Sequence, residues 1–226
     1  MKWIIDLFGS TLGKKLLMAL TGLFLISFLV VHLIGNLQLL KHDNGEAFNH
    51  YAEFMGNNTI IQIIAKGNFF FIFLHAVVSI ILTVHNRKSR GPQGYAKTTG
   101  QSSIWASRNM GILGTLILIF LVVHLKDFWG VSKFGTLGRE TYESGEFGNL
   151  YALVGEWFQK GWYVGLYVFC MVALAFHLWH GFASAFQTLG FKHPKYNPVI
   201  SFVGKAFAVI VPALFAWIPI SMYFQL

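Results

Sequence analysis

Residues 16–40 read L-L-M-A-L-T-G-L-F-L-I-S-F-L-V-V-H-L-I-G-N-L-Q-L-L, a run with no Asp, Glu, Lys or Arg and a single histidine, His32, set deep within it. At 1.5 Å per residue, about 20 residues of helix cross the ~30 Å hydrocarbon core of a bilayer. The run is long enough to span. It also exceeds the 7–15 residues of a signal-peptide apolar region, and no A-x-A site follows it, so it reads as a retained first helix. Four further stretches repeat the pattern, at 60–85, 104–129, 162–189 and 199–224. The expected fold is therefore an all-α membrane protein, a single domain over 1–226 built as a bundle of five transmembrane helices. Pro212 and Pro219 fall inside the fifth stretch and are expected to kink it, which neighbouring membrane helices tolerate.

Composition agrees. The chain of 226 residues is 55% hydrophobic, 12% charged and has a mean hydropathy of +0.56, where a soluble domain carries roughly 25% charged residues. The net charge of +8 could suggest nucleic acid, but the basic residues gather in loops, where membrane topology accounts for them. No nucleic-acid partner is expected. The one cysteine, Cys170, excludes an intrachain disulfide and any iron–sulfur cluster carried by this chain alone.

Orientation follows from basic residues in alternate loops. One side holds Lys2, Lys14, Lys15, Arg87, Lys88, Arg90, Lys97, Arg108, Lys192, Lys195 and Lys205, with Asp6 as its only acid. The other holds Lys41, Lys66, Lys126, Lys133, Arg139 and Lys160 together with the remaining acids. The N-terminus is thus expected in the cytoplasm and the C-terminus on the outer side. The loop from Asp127 to Lys160 is the largest external segment, with room for a short surface helix.

Within this frame the histidines stand out. His32, His75 and His124 lie in the first three stretches, and His177 and His180 in the fourth. Ionisable groups inside a bilayer are costly and mark function. One intramembrane histidine is often only a hydrogen-bonding contact between helices; four successive helices that each carry one are another matter. Imidazole is an axial ligand of haem iron, and two imidazoles fill both axial positions. Four such ligands make two haems, if they pair at common depths. Counted along a helix from the nearest basic residue, His32 lies about 26 Å deep and His124 about 24 Å. His75 and His180 come out at about 18 Å and His177 at about 22 Å. His32 therefore pairs with His124 toward the outer face, and His75 pairs with His177 or His180 nearer the cytoplasm. His42, His50, His85 and His193 fall in loops or at a helix end and read as solvated. Gly22, Gly35, Gly111, Gly114, Gly165 and Gly181 could admit a macrocycle, or serve ordinary helix packing.

The stretches around these histidines are F-L-V-V-H-L-I-G-N at 28–36, G-E-A-F-N at 45–49, L-H-A-V at 74–77, I-F-L-V-V-H-L at 119–125 and F-H-L-W-H-G-F-A-S at 176–184. In this order, over nearly the whole chain, the sequence resembles the five-helix dihaem cytochrome b subunit that anchors succinate:quinone oxidoreductases, the succinate dehydrogenase and fumarate reductase group. The resemblance implies two haem b groups, with His32 and His124 on the iron distal to the catalytic subunits and His75 and His177 on the proximal iron; His180 is the alternative to His177. It implies a flavoprotein subunit and an iron–sulfur subunit on the cytoplasmic face of a bacterial inner membrane, lipid around the bundle, and quinone, menaquinone in this reading, as the electron-transfer substrate. The succinate or fumarate site would lie on a partner subunit. One departure matters: some fumarate reductases of this group carry a proton-moving glutamate two residues before the fourth-helix ligand, and here that place is Ala175. Electron transfer is then expected to run without that compensating proton path.

Two other readings fit the intramembrane histidines. A cytochrome b subunit of a hydrogenase or another quinone-linked dehydrogenase uses such ligands, with spacings not found here. A proton-coupled transporter with a histidine relay would place carboxylates among the histidines or show repeats, and neither is visible.

Overall fold

A computed structural model describes residues 6, 7, 9–90, 105–191 and 193–226. Lys2, Lys97 and Lys192 of the charge count, and the first residue of the expected third helix at 104, lie outside the described residues.

Among the described residues, five helices are long and apolar enough to cross a membrane. The chain is a multi-pass membrane protein. Helix α1 spans Thr11–Asn36 and continues as a 3-10 turn over Leu37–Leu40. Helix α2 (Glu46–Asn57) lies in the first loop, and α3 runs from Thr59 to Arg90. Helix α4 (Met110–His124) follows a separate helical turn at Trp105–Arg108 and passes into a π-helical segment, Leu125–Gly130. Strands β1 (Arg139–Tyr142) and β2 (Gly145–Gly148) form an antiparallel hairpin. Helices α5 (Leu150–Phe158), α6 (Gly161–Thr188) and α7 (Asn197–Phe224) complete the chain.

The bounds differ from expectation for physical reasons. Ser10 caps α1 by accepting from the Gly13 amide at 2.9 Å, and Lys14 donates to the Gly9 carbonyl at 2.7 Å. The helix thus begins before its lysines rather than after them, and long basic side chains allow this by reaching toward water. At the other end of the next span, α3 continues through Arg87 and Lys88, cations that suit a helix C-terminus. Helix α7 runs unbroken through Pro212 and Pro219, both buried.

The close packings are α1 with α3, α3 with α4, α4 with α6, and α6 with α1; α7 lies against α6 and α1. Four spans therefore form a square, with α1 and α4 on one diagonal and α3 and α6 on the other. Large apolar side chains point outward, among them Ile60 at 70% exposure and Phe73 at 69%. A water-soluble bundle would not leave them so; a lipid-facing one does.

One end of the square carries a polar cap of α2, the hairpin and α5. Asn49, fully buried, ties it together. Its Nδ2 donates to the Tyr142 hydroxyl at 3.0 Å, and its Oδ1 accepts from the Tyr151 amide at 2.9 Å. Asp43 accepts from the Gly45 and Ala47 amides at the start of α2, and Asn149 caps α5 through the Ala152 amide. Gly45 has φ of +85°, and a Cβ there would strike the Tyr151 ring. The main buried cluster, including Leu33, Phe48, Phe158, Tyr163, Tyr167 and Ile218, sits toward this hairpin end. A smaller one, Ala106, Leu113 and Ala173, sits toward the other.

Candidate haem-ligating histidine pairs

The histidines of the four square-forming helices meet across the diagonals. His32 on α1 and His124 on α4 stand with ring centroids 5.8 Å apart and planes at 89°. His75 on α3 and His177 on α6 stand 6.4 Å apart at 63°. The first pair lies in the last turns of its helices, toward the hairpin end, and the second lies within the middle stretches of α3 and α6. His177, not His180 one turn on, is the α6 histidine whose ring meets His75. Neighbouring helices would bring such rings together simply by packing. These come from helices that do not pack side by side.

Three of the four rings have a polar side chain at a ring nitrogen. His75 Nδ1 lies 2.9 Å from the Thr21 hydroxyl on α1, and an added Cβ on Gly22 would come within 3.3 Å of the same ring. His124 Nδ1 lies 2.9 Å from the Tyr167 hydroxyl on α6. The Asn36 amide lies 3.4 Å from the ring nitrogens of His32, which stacks on Phe28 at 5.2 Å. Nδ1 of His177 is buried with no hydrogen-bond partner, a state that costs about 1–3 kcal/mol unless a group from outside the chain meets the ring.

No protein-family model, curated protein or solved structure matches the chain. Among the described residues, no three His, Cys, Asp or Glu side chains converge as they would on a bare metal ion. Two imidazoles are the complement that a four-nitrogen macrocycle leaves to the protein. A metal–imidazole bond of about 2 Å puts the centres of two ligating rings about 6 Å apart, and both pairs stand near that separation. Ring packing can give the same distance. It does not require the anchored Nδ1 atoms of His75 and His124, which leave Nε2 free, the arrangement found in metal-ligating histidines. The residues present fit bis-histidine haem.

The remaining histidines are placed apart. His50 packs against Phe147 of the hairpin, ring centroids 5.1 Å apart; His193 sits beside Tyr196, and His85 is exposed. Of the six glycines, Gly22 and Gly114 face the rings of His75 and His177, Gly35 faces Tyr51, and Gly111 faces Thr83; Gly165 and Gly181 have no atom within 4 Å of an added Cβ. Sequence reasoning missed Thr21, Tyr163, Tyr167 and Asp127. The only trace was a hydroxyl or a carboxylate in or beside an apolar run, and their partners are 36 to 54 residues away.

Proposed function

We propose that this chain is the dihaem cytochrome b membrane anchor of a succinate:quinone oxidoreductase, with two haem b groups held by His32 with His124 and by His75 with His177. The observation that carries the reading is the pair of cross-diagonal imidazole contacts at two levels of one four-helix square. Haem, when bound, supplies reversible one-electron transfer. The side chains do the rest: the two imidazoles of each pair would hold the group, and Thr21 and Tyr167 engage Nδ1 of His75 and His124, which would leave Nε2 of each free to face it.

The excess of basic residues around the N-terminus, the loop after α3 and the segment before α7 supports an N-terminus in the cytoplasm. A flavoprotein and an iron–sulfur subunit dock on that face, closer to the His75–His177 pair. Quinone, in this reading menaquinone, exchanges electrons with the membrane end of the chain, and the membrane is a bacterial inner membrane. The test is purification with bound partners, haem counting and a succinate:quinone assay. Two reducible b-type haems per chain and quinone reduction by succinate are expected; a colourless complex would end the proposal.

A further inference from the structure

A line of polar groups runs from the hairpin-side pair to the surface through an apolar wall. His124 Nδ1 meets the Tyr167 hydroxyl at 2.9 Å, and Tyr167 meets the Tyr163 hydroxyl at 3.4 Å. Tyr163 donates to Asp127 Oδ2 at 3.0 Å. Asp127 is only 5% exposed, and its other oxygen takes Lys126 Nζ at 3.3 Å, with the Lys126 side chain out in solvent. Phe120, Phe128 and Phe158 pack around the two phenols. The π-helical segment begins directly after His124 and contains Asp127, so the residues beyond the histidine are re-aimed relative to a straight α-helix.

Counting protons orders the chain. A phenol has one hydrogen to donate. Tyr163 gives its hydrogen to Asp127, so its oxygen can only accept from Tyr167. Tyr167 has then spent its own, so its oxygen accepts from His124. In that ordering, with Asp127 ionised, Nδ1 of His124 carries the hydrogen and Nε2 is left with a bare lone pair. Every donor points away from the ring toward one buried carboxylate. The inner end is a ring nitrogen, not an open site, so the line has nothing to deliver a proton to. It acts on the imidazole instead.

We propose that Tyr167, backed by Tyr163 and Asp127, is a positioning residue that fixes the orientation and tautomer of His124 and lowers the reduction potential of the haem on the hairpin side. The assignment rests on the haem reading above. A hydrogen bond from the non-ligating nitrogen toward an anion makes imidazole a stronger electron donor, and stronger donation stabilises the oxidised metal. Low surrounding polarity strengthens each link and its neighbours. His75 differs: its Nδ1 partner, Thr21, donates at 2.7 Å to the Leu17 backbone carbonyl, and that line ends on a neutral group.

The experiment is potentiometric titration of the full-length chain purified with its haems, with low-temperature electron paramagnetic resonance on the same samples. Tyr167→Phe is expected to raise one midpoint potential by about 59 mV, a tenfold change in a one-electron equilibrium, and to leave the other haem unmoved. Asp127→Asn keeps both phenols and is expected to shift the same haem in the same direction by less. The shifted haem should be the one that disappears on His124→Ala. If Tyr167→Phe sheds that haem, the Asp127→Asn shift decides. Two retained haems with unchanged potentials in both variants, haem loss in both with no shift in what remains, or a shift on the haem lost by His75→Ala would each overturn the assignment while leaving the haem reading intact. A wild-type chain without haem would overturn both.

Discussion

His32 and His124 stand ring to ring, 5.8 Å between centroids, although α1 and α4 occupy opposite corners of the four-helix square. Histidines that meet in this way are brought in by the whole bundle, not by one helix pair. Replacing either with alanine should therefore remove the same haem and halve the haem count. His75→Ala and His177→Ala should each remove the other one. Pyridine haemochrome assay with spectra of the residual haem checks this; different haems lost by His32→Ala and His124→Ala would contradict the pairing.

Thr21 lies 2.9 Å from His75 Nδ1, and its own hydrogen is committed to the Leu17 carbonyl. Thr21→Val keeps the shape and removes the acceptor. Loss of such an outer partner weakens metal-site affinity about 10–100-fold. The haem held by His75 and His177 should transfer faster to an apo-globin acceptor, and the other should not. Equal transfer rates would rule Thr21 out as the anchor.

Gly22 faces the same imidazole, with only 3.3 Å between its would-be Cβ and His75 Cε1. Gly22→Val adds branched methyl groups where the neighbour has little room to give. The ring must turn, and the same haem should be lost or show altered resonance values. A normal spectrum for Gly22→Val would mean that α1 and α3 can part without moving His75.

Asn49 is fully buried and joins α2 to β1 and α5 through its two amide atoms. Asn49→Ala leaves the Tyr151 amide without its partner, at about 1–3 kcal/mol if it stays buried, while the Tyr142 hydroxyl still donates to the Asn44 carbonyl at 3.0 Å. Amide exchange across 139–148 should speed up while the spans remain protected. Uniform acceleration over the whole chain would show that the cap supports the bundle rather than resting on it.

Ala175 stands where some enzymes of the proposed group have a proton-moving glutamate, and no carboxylate occurs from Lys160 to Phe186. Turnover in sealed vesicles is expected to change on adding an uncoupler, because α6 offers no acid of its own to carry a compensating proton. Equal rates with and without the uncoupler would count against this.

Much of this architecture is legible in the amino-acid order because lipid is an undemanding reader. A span needs only enough consecutive apolar residues, so 16–40, 60–85, 162–189 and 199–224 all announce their helices. Ends were less legible: capping by Ser10, basic side chains that reach back to water, and the π-helical turn after His124 all depend on local hydrogen bonds. The cap was legible least of all. Its elements are short, and Asn49 reaches partners 93 to 102 residues away.

The histidines divide the same way. Their presence in successive apolar runs is a property of sequence alone. Which one faces which is not, and counting residues from the nearest basic side chain slightly favours His180 because it treats every helix as starting at its charge. The square arrangement turns His177 toward His75 and seats Tyr167, Tyr163 and Asp127 behind His124. Periodicity along one helix carries no information about contacts between helices on opposite corners, so only the packed bundle could decide them.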